Sequence, residues 1–594
     1  QHLNDRLLLT AKLTGDQESP AVTTNAVGIA SLLLNGNHDS LCLNITVTGM
    51  SGAITGAMIH SGEPGTNGAT IKDLTASVKG NTIKTVITGT DLSTHLKEYL
   101  SGKLYINIHT NAHANGEIRG QIYLETDWSF TASLNGSELV PVSSTTAYGL
   151  GVFNLSKDSS KILYTVVLQN ISGPLTQARL NFGAKGLNGS LAVDLTPAIK
   201  GNAIAGVINN PAANLIDSLI AGKIYIDLST ATNTSGKELR GQLSSSLNFL
   251  YFDASLNGLQ EVPTVPTAAV AVASIKLSPA MDTVWYDVVA TGLSGVITDA
   301  HFHLGAPGIS GGAVVNIGTG ISGNKVSGKI FGSSLTADFI KNLLKGDLYV
   351  NLHTALNPNG EIRGQVYRLA RQGYVASLEG AQQVPTVVTK ANGEGIVSIS
   401  RDGDNAHFMI VTDSITATMI HFHKQVAGQN GGVIFDLMPY YMNNRAFGYW
   451  KANNTSPFTT AIANVFFKDS VYINVHTTAN SNGEIRGQVV KGGACFKDIA
   501  TGIAENKESK TLNGITLYPN PSSDLLTISF NSNSQAKVTV EIIDVLGKQI
   551  YAESYTAQSG INLHAVPVSR FENGLYFVRI QNENGQTVER FIKN

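Results

Sequence analysis

The chain repeats itself four times, at a period too long for a solenoid turn and right for a whole domain. Four segments open alike: LLLTAKLTGDQESPAV from Leu7, FTASLNGSELVPV from Phe130, FDASLNGLQEVPTV from Phe252 and YVASLEGAQQVPTV from Tyr374. Four segments close alike: NGEIRGQIY from Asn115, GKELRGQL from Gly236, NGEIRGQVY from Asn359 and NGEIRGQVV from Asn482. The shared glutamate falls at Glu117, Glu238, Glu361 and Glu484, at spacings of 121, 123 and 123 residues. A unit of about 120 residues is domain-sized. Domains are therefore expected at 7–124, 128–247, 250–369 and 372–490. The stretch 491–513 is polar and aperiodic and reads as a linker, with a last unit at 514–594.

Within each unit the pattern is that of strands. Alternating runs occur at Leu41–Thr48, Lys161–Leu168, Thr283–Ala290 and His407–Thr412. The segment Thr336–Gly346 has helical apolar spacing with Gly346 as its stop, and similar segments end at Gly102 and Gly222. The final unit shows strand runs at Leu525–Phe530, Lys537–Asp544 and Leu575–Ile580. Hydrophobic residues at 42% suffice for several cores, while charged residues at 14% and 60 glycines favour short strands and many turns. The expected class is all-β: a β-sandwich or barrel in each of the four tandem repeats and a small C-terminal β-sandwich.

A net charge of −2 without a basic run gives no electrostatic reason for nucleic acid or an anionic membrane as partner. No apolar run is long enough for a transmembrane helix. A start at Gln1 fits a chain whose signal peptide has been removed. Cys42 and Cys495 are read as a small buried residue and a reactive thiol in a linker, not as a disulfide framework or a CxxC metal clip. Gly318, Gly320 and Gly323 match G-x-G-x-x-G, but the following residues read as strand, which excludes a dinucleotide fold. The cluster Asp402-Gly403-Asp404-Asn405 is either a β-turn or a Ca²⁺ loop.

The opening L-x-G-x-x-(E/Q)-V-P, the H-x-H with a glycine-rich turn after it, the Y-(I/V)-N-x-H-T strand and the closing G-E-I-R-G-Q, in order and repeated, resemble the chordin-type (CHRD) domain. The resemblance covers residues 7 to 490. It implies an immunoglobulin-like β-barrel with distant likeness to copper/zinc superoxide dismutases. The blocks LYPNPSSDLLTI, IIDVLGKQI and NGLYFVRI resemble the C-terminal sorting domain of the Bacteroidetes type IX secretion system, carried by Tyr518, Pro519, Asn520, Pro521, Gly547, Gly574 and Tyr576. That resemblance implies export, contact with the type IX secretion machinery, and residence at the outer-membrane surface or in the medium.

Histidines form the one constellation with chemistry in it. Repeat 3 has His301 and His303 in H-x-H and His353 in YVNLHT; repeat 4 has His421, His423 and His476. Residues i and i+2 of a strand share a face, so three imidazoles converge if the two strands are neighbours. Three histidines with an open position suit Zn²⁺ or Cu²⁺, with Glu361 or Glu484 as an orienting carboxylate. The alternative is a closed polar network. Repeat 1 keeps only His60 and His109, and repeat 2 has none of the three, yet the Glu-x-Arg ending survives everywhere. The pairs Glu117/Arg119, Glu238/Arg240, Glu361/Arg363 and Glu484/Arg486 are therefore read as structural, tying strands together.

No catalytic residue is assigned. The leading expectation is a non-enzymatic exported protein whose modules act as a spacer and bind a glycan, matrix or protein ligand through their loops. The alternatives are a metal-binding or metal-dependent redox protein using repeats 3 and 4, and a structural surface-layer component.

Overall fold

In the computed structural model, residues 6–233, 236–245, 249–491, 512–518, 522–532, 535–544, 549–571, 574–582 and 585–593 are described. The chain forms two compact units, 1–496 and 497–594. Both are built of antiparallel strands, so the all-β reading holds.

Each repeat is one curled sheet, of 10, 9, 10 and 9 strands in chain order. In repeat 3 the sheet runs Ala313–Asn316, Ile297–Leu304, Leu348–Thr354, Ile362–Gln365, Leu250–Asn257, Val270–Leu277, Thr283–Thr291, Lys325–Phe331, Ile321–Ser322. The opening and closing motifs thus lie side by side at its centre, with Asn257 opposite Arg363. The H-x-H strand lies directly beside the Y-x-N-x-H strand. Period-two alternation sends Phe302 inward, where it packs edge-on against Tyr286 and Phe339, and leaves His301 and His303 on the other face.

The expected helix is present at Ala337–Lys345. Thr336 caps it by accepting from the Phe339 N–H at 3.1 Å, and Gly346 ends it at φ +78°. Its buried face, Phe339, Ile340, Leu343 and Leu344, closes one end of the core; each such side chain contributes about 1.5–3 kcal/mol. Gly318–Gly320 is a single 3₁₀ turn leading into strands, as the sequence required.

The repeats are not strung as beads but pack on one another in pairs. Leu8, Ile29, Leu33 and Cys42 of repeat 1 pack against Val375, Ile396, Met409 and Val411 of repeat 4. Leu150, Val152 and Val167 of repeat 2 pack against Val272 and Val289 of repeat 3. The two connecting segments pair with each other: Asp127 N–H donates to Leu369 O at 3.3 Å and Arg371 N–H to Glu125 O at 2.8 Å. Charge collects at this crossing. Glu125, 1% exposed, takes Lys157 at 3.3 Å and His407 at 2.8 Å, and Arg371 reaches Asp127 at 3.2 Å. Burial pushes the Glu125 carboxyl up, but Lys157, His407 and Arg371 outweigh it and hold it well below the usual carboxylate range. The acidic turn at Asp402 belongs to this seam. Both Asp402 and Asp404 hold Lys161 of repeat 2, so the calcium alternative is replaced by an interdomain ion pair. Cys42 is buried as expected, but it is disulfide-bonded where no disulfide was expected; Cys495 lies outside the described residues.

The C-terminal unit has a three-stranded and a four-stranded sheet enclosing Ile528, Phe530, Val540, Val578, Ile580 and Phe591. Its first strand, Leu512–Tyr518, starts two residues inside the expected linker. Tyr576 is buried and stacks on Phe591, and Gly574 opens the same strand. Pro519, Asn520, Pro521 and Gly547 lie outside the described residues.

Candidate metal centre

The strand register brings the three histidines of repeat 3 together. Asp299 stands opposite His353 and His301 opposite Asn351. The His301 Nδ1 atom lies 3.1 Å from His353 Nε2, and the ligand atoms of His301, His303 and His353 lie within 4.8 Å of one another. Repeat 4 repeats the arrangement, with His421 Nδ1 3.4 Å from His476 Nε2 and His423 completing the group. Nitrogens that share one metal ion at about 2 Å stand about 3.3 Å apart in tetrahedral geometry. The sets are compact enough for that.

Their hydrogen bonds fix which nitrogen faces inward. A carbonyl can only accept, so His303 Nδ1–H donates to Gly311 O at 2.9 Å and His353 Nδ1–H to Pro358 O at 3.0 Å. The Nε2 atom of each is thereby left with a lone pair. His303 Nε2 is buried without a hydrogen-bond partner, and so is His423 Nε2. In repeat 4, Gly431 O and Ser481 O play the carbonyl roles at 2.9 Å each. His301 is turned the other way. Its Nε2 lies 3.4 Å from the Asp299 carboxylate, which accepts Nε2–H and so leaves Nδ1 for the centre; the Asn316 amide, 3.2 Å from the same nitrogen, donates to Asp299 at 3.2 Å. Burial holds His303, His353, His421 and His423 below the ordinary imidazole range, favouring the neutral form a metal needs.

The closing arginine supports this geometry from behind. Its guanidinium donates to Ile309 O at 2.8 Å and Ala306 O at 3.0 Å, which fixes the glycine-rich loop that carries Gly311. It also lies over Tyr349, whose ring stacks against His303 at 4.9 Å. Arg486, Tyr472 and His423 form the same stack in repeat 4.

The Glu/Arg pairs are neighbours in sequence but not ion-paired among the described residues. Glu361 instead accepts from Ser294 N–H at 2.9 Å, Ser294 Oγ at 2.5 Å, Thr354 Oγ1 at 2.6 Å and Thr267 Oγ1 at 2.9 Å. Burial raises its affinity for a proton, yet these hydrogen bonds prevail and hold it below the usual range. Glu117, Glu238 and Glu484 are bound likewise by Ser51, Ser172 and Thr389 with Thr477. Arg119 and Arg240 hold loop carbonyls as Arg363 does. The expectation that Glu361 or Glu484 orients a ligand ring is thus corrected: the nearby carboxylates are Asp299 and, at 3.8 Å from His421, Asp436. Asp299 was within reach of sequence reasoning, two residues before His301 on the same strand face. Asn316 and Asp436 come from a separate strand and carry no local signal.

Repeat 2 lacks the centre. Arg179, Asn181 and Ser229 occupy the three positions, and Lys237 donates to Asp227 at 2.9 Å and Gln177 at 3.1 Å beside them.

The profile of the CHRD domain matches residues 9–122, 130–243, 252–366 and 374–489. The chain belongs to the CHRD domain family. Residues 516–594 match the secretion system C-terminal sorting domain, which marks this CHRD protein for export to the cell surface or the medium. Chordin of Danio rerio is 24% identical over 249 residues, 39% of this chain and 26% of its own length. The CHRD protein thus spans about a quarter of that relative. Among solved structures, latent PorU from Porphyromonas gingivalis aligns over 74% of this chain and 42% of its own, at 10% identity and TM-score 0.14. An Escherichia coli alpha-2-macroglobulin aligns over 99% of this chain and 53% of its own, at 9% identity and TM-score 0.14. Among the described residues, no helix is long and apolar enough to cross a membrane.

Proposed function

We propose that this exported CHRD protein captures transition-metal ions, one in repeat 3 on His301, His303 and His353 and one in repeat 4 on His421, His423 and His476. The observation that carries the reading is the buried Nε2 of His303 and of His423, each without a hydrogen-bond partner while its Nδ1–H is tied to a main-chain carbonyl. A closed polar network would leave no such nitrogen. A metal ion supplies the missing partner, and the carbonyl bond is the usual device that orients a ligating imidazole. Three neutral imidazoles suit Zn²⁺ and Cu²⁺ alike. The ion would supply a Lewis-acidic point with an open coordination position. The role assigned is capture and not turnover. Delivery is assigned to the type IX secretion machinery acting on the C-terminal unit.

The test is elemental analysis of the full chain after loading with Zn²⁺, or with Cu²⁺ in the absence of reductant, followed by exhaustive dialysis. About two equivalents are expected, one for each histidine group. His303→Ala and His423→Ala should each remove one. A protein that emerges free of metal would return the histidines to the polar-network reading.

A further inference from the structure

Repeat 1 carries a third, chemically different version of the same centre. Strand register makes the equivalences unambiguous. Gly56 stands opposite His109, Met58 opposite Asn107 and His60 opposite Tyr105, as Asp299 stands opposite His353, His301 opposite Asn351 and His303 opposite Tyr349. Met58 therefore occupies the position of His301, and Gly56 that of Asp299.

The two remaining histidines are prepared as ligands. His60 Nδ1–H donates to Gly68 O at 3.2 Å and His109 Nδ1–H to Ala114 O at 2.8 Å. Both Nε2 atoms are buried and have no hydrogen-bond partner. His60 lies on Tyr105 with ring centres 5.1 Å apart, and Arg119 covers that tyrosine, as in the histidine-complete repeats. The loss of one imidazole has thus left the rest of the scaffold intact.

The substitutions at positions 56 and 58 fit each other. In repeat 3 an imidazole needs an outer partner for its second nitrogen, and Asp299 supplies it. A thioether has no second polar atom, so a carboxylate there would be left over. Repeat 1 has glycine, and a Cβ at Gly56 would sit 3.3 Å from the Met58 methyl and 3.5 Å from His109 Cβ and Cγ. The Met58 terminus and the His109 ring therefore flank the same spot.

We infer that Met58, His60 and His109 form a binding site for a soft monovalent metal ion, copper(I). Two neutral imidazoles and a thioether bring no negative charge and one soft donor, which favours Cu(I) over Zn²⁺. Repeat 2 supplies the internal contrast: Arg179 stands at the strand position of His301, Ser229 at that of His353, and Lys237 is ion-paired to Asp227 beside them. The inference rests on the reading above only in that both treat orphaned imidazole nitrogens of this fold as metal ligands.

The experiment uses the full chain carrying His303→Ala and His423→Ala, so that repeat 1 alone is left to bind. Cu(I), kept reduced under anaerobic conditions, is titrated in competition with a chromogenic Cu(I) chelator; Zn²⁺ is titrated separately. One equivalent of Cu(I) and no dialysis-resistant Zn²⁺ are expected. Adding Met58→Leu, which keeps volume and removes the sulfur, should weaken Cu(I) by at least tenfold. X-ray absorption should show a sulfur neighbour that Met58→Leu abolishes. Absence of Cu(I) binding in the His303/His423 variant, with two metals still held by the parent chain, overturns this inference and leaves the other reading standing. Unchanged Cu(I) affinity in Met58→Leu also overturns it. If the parent holds no Zn²⁺ or Cu²⁺ while the variant holds Cu(I), the earlier reading falls and this one stands.

Discussion

The Arg363 guanidinium lies 3.4 Å from the centre of the Tyr349 ring. Through that ring and through the carbonyls of Ile309 and Ala306, it sets the place of His303 without touching it. Arg363 is a positioning residue in this arrangement. Arg363→Lys keeps the charge but loses the planar stack and the forked donation. Zn²⁺ affinity of repeat 3 should fall about 10–100-fold while repeat 4 keeps its own, read by chelator competition. Equal affinity at both repeats would remove Arg363 from the centre's support.

Glu361 should behave in the opposite way. Its carboxylate serves Ser294, Thr354 and Thr267, away from the histidines. Glu361→Gln should cost about 1–3 kcal/mol in denaturant unfolding, because charge-assisted bonds to hydroxyls are lost. Metal stoichiometry should stay the same. A loss of metal without a loss of stability would contradict this division of labour between the two residues of the closing motif.

Glu18 and Glu261 predict a pH dependence. Burial pushes both carboxyls up to about 7, against the opposing pull of Arg119 and Arg363. Their repeat 4 counterpart is Gln383, which donates to Asn474 Oδ1 at 2.6 Å. A protonated Glu261 can donate in the same way to Asn351, whose Oδ1 is buried without another partner. Because the folded state holds these protons more tightly, the stabilisation is full below the ordinary value of 4.5 and is lost as pH rises toward about 7. The unfolding free energy from urea titration should fall across that window, by about 1 kcal/mol per site. Glu18→Gln with Glu261→Gln should flatten the profile, and a profile unaltered by both changes would disprove the assignment.

Glu125 tests the seam. Removing its carboxylate takes the partner from Lys157 and His407 and leaves Arg371 with Asp127 as its ion-pair partner. Glu125→Ala should cost about 3–5 kcal/mol, with proteolysis appearing first at the 124–128 and 368–372 connections. Uniform resistance to proteolysis would show that apolar packing alone holds the repeats together.

Much of this was legible in the sequence because strands report themselves with period two. The alternation in Thr283–Thr291 and the inward Phe302 between His301 and His303 gave the sheet, its buried face and the convergence of the imidazoles. How the Glu/Arg pair acts was not legible, because a shared strand face does not say what each side chain reaches. Glu361 reaches the hydroxyls at one end of the strand, and Arg363 reaches the loop at the other. Sequence did carry a sign of interdomain packing. Leu7-Leu8-Leu9 and Leu32-Leu33-Leu34 do not alternate, because both faces of those strands are covered, one by the repeat's own core and one by repeat 4. Asn316 and Asp436 could not be found that way, since only cross-strand register brings them to His301 and His421.

Repeat 1 finds its sheet-face partner in repeat 4, and repeat 2 finds its own in repeat 3. A string of modules can grow or shrink by one duplication or deletion. This body cannot shrink so easily, because removing repeat 4 would leave the apolar face of Leu8 and Leu33 facing water. The fourth repeat is therefore the cover of the first: the surface of Leu8, Ile29 and Leu33 is complete only when Val375 and Ile396 lie on it.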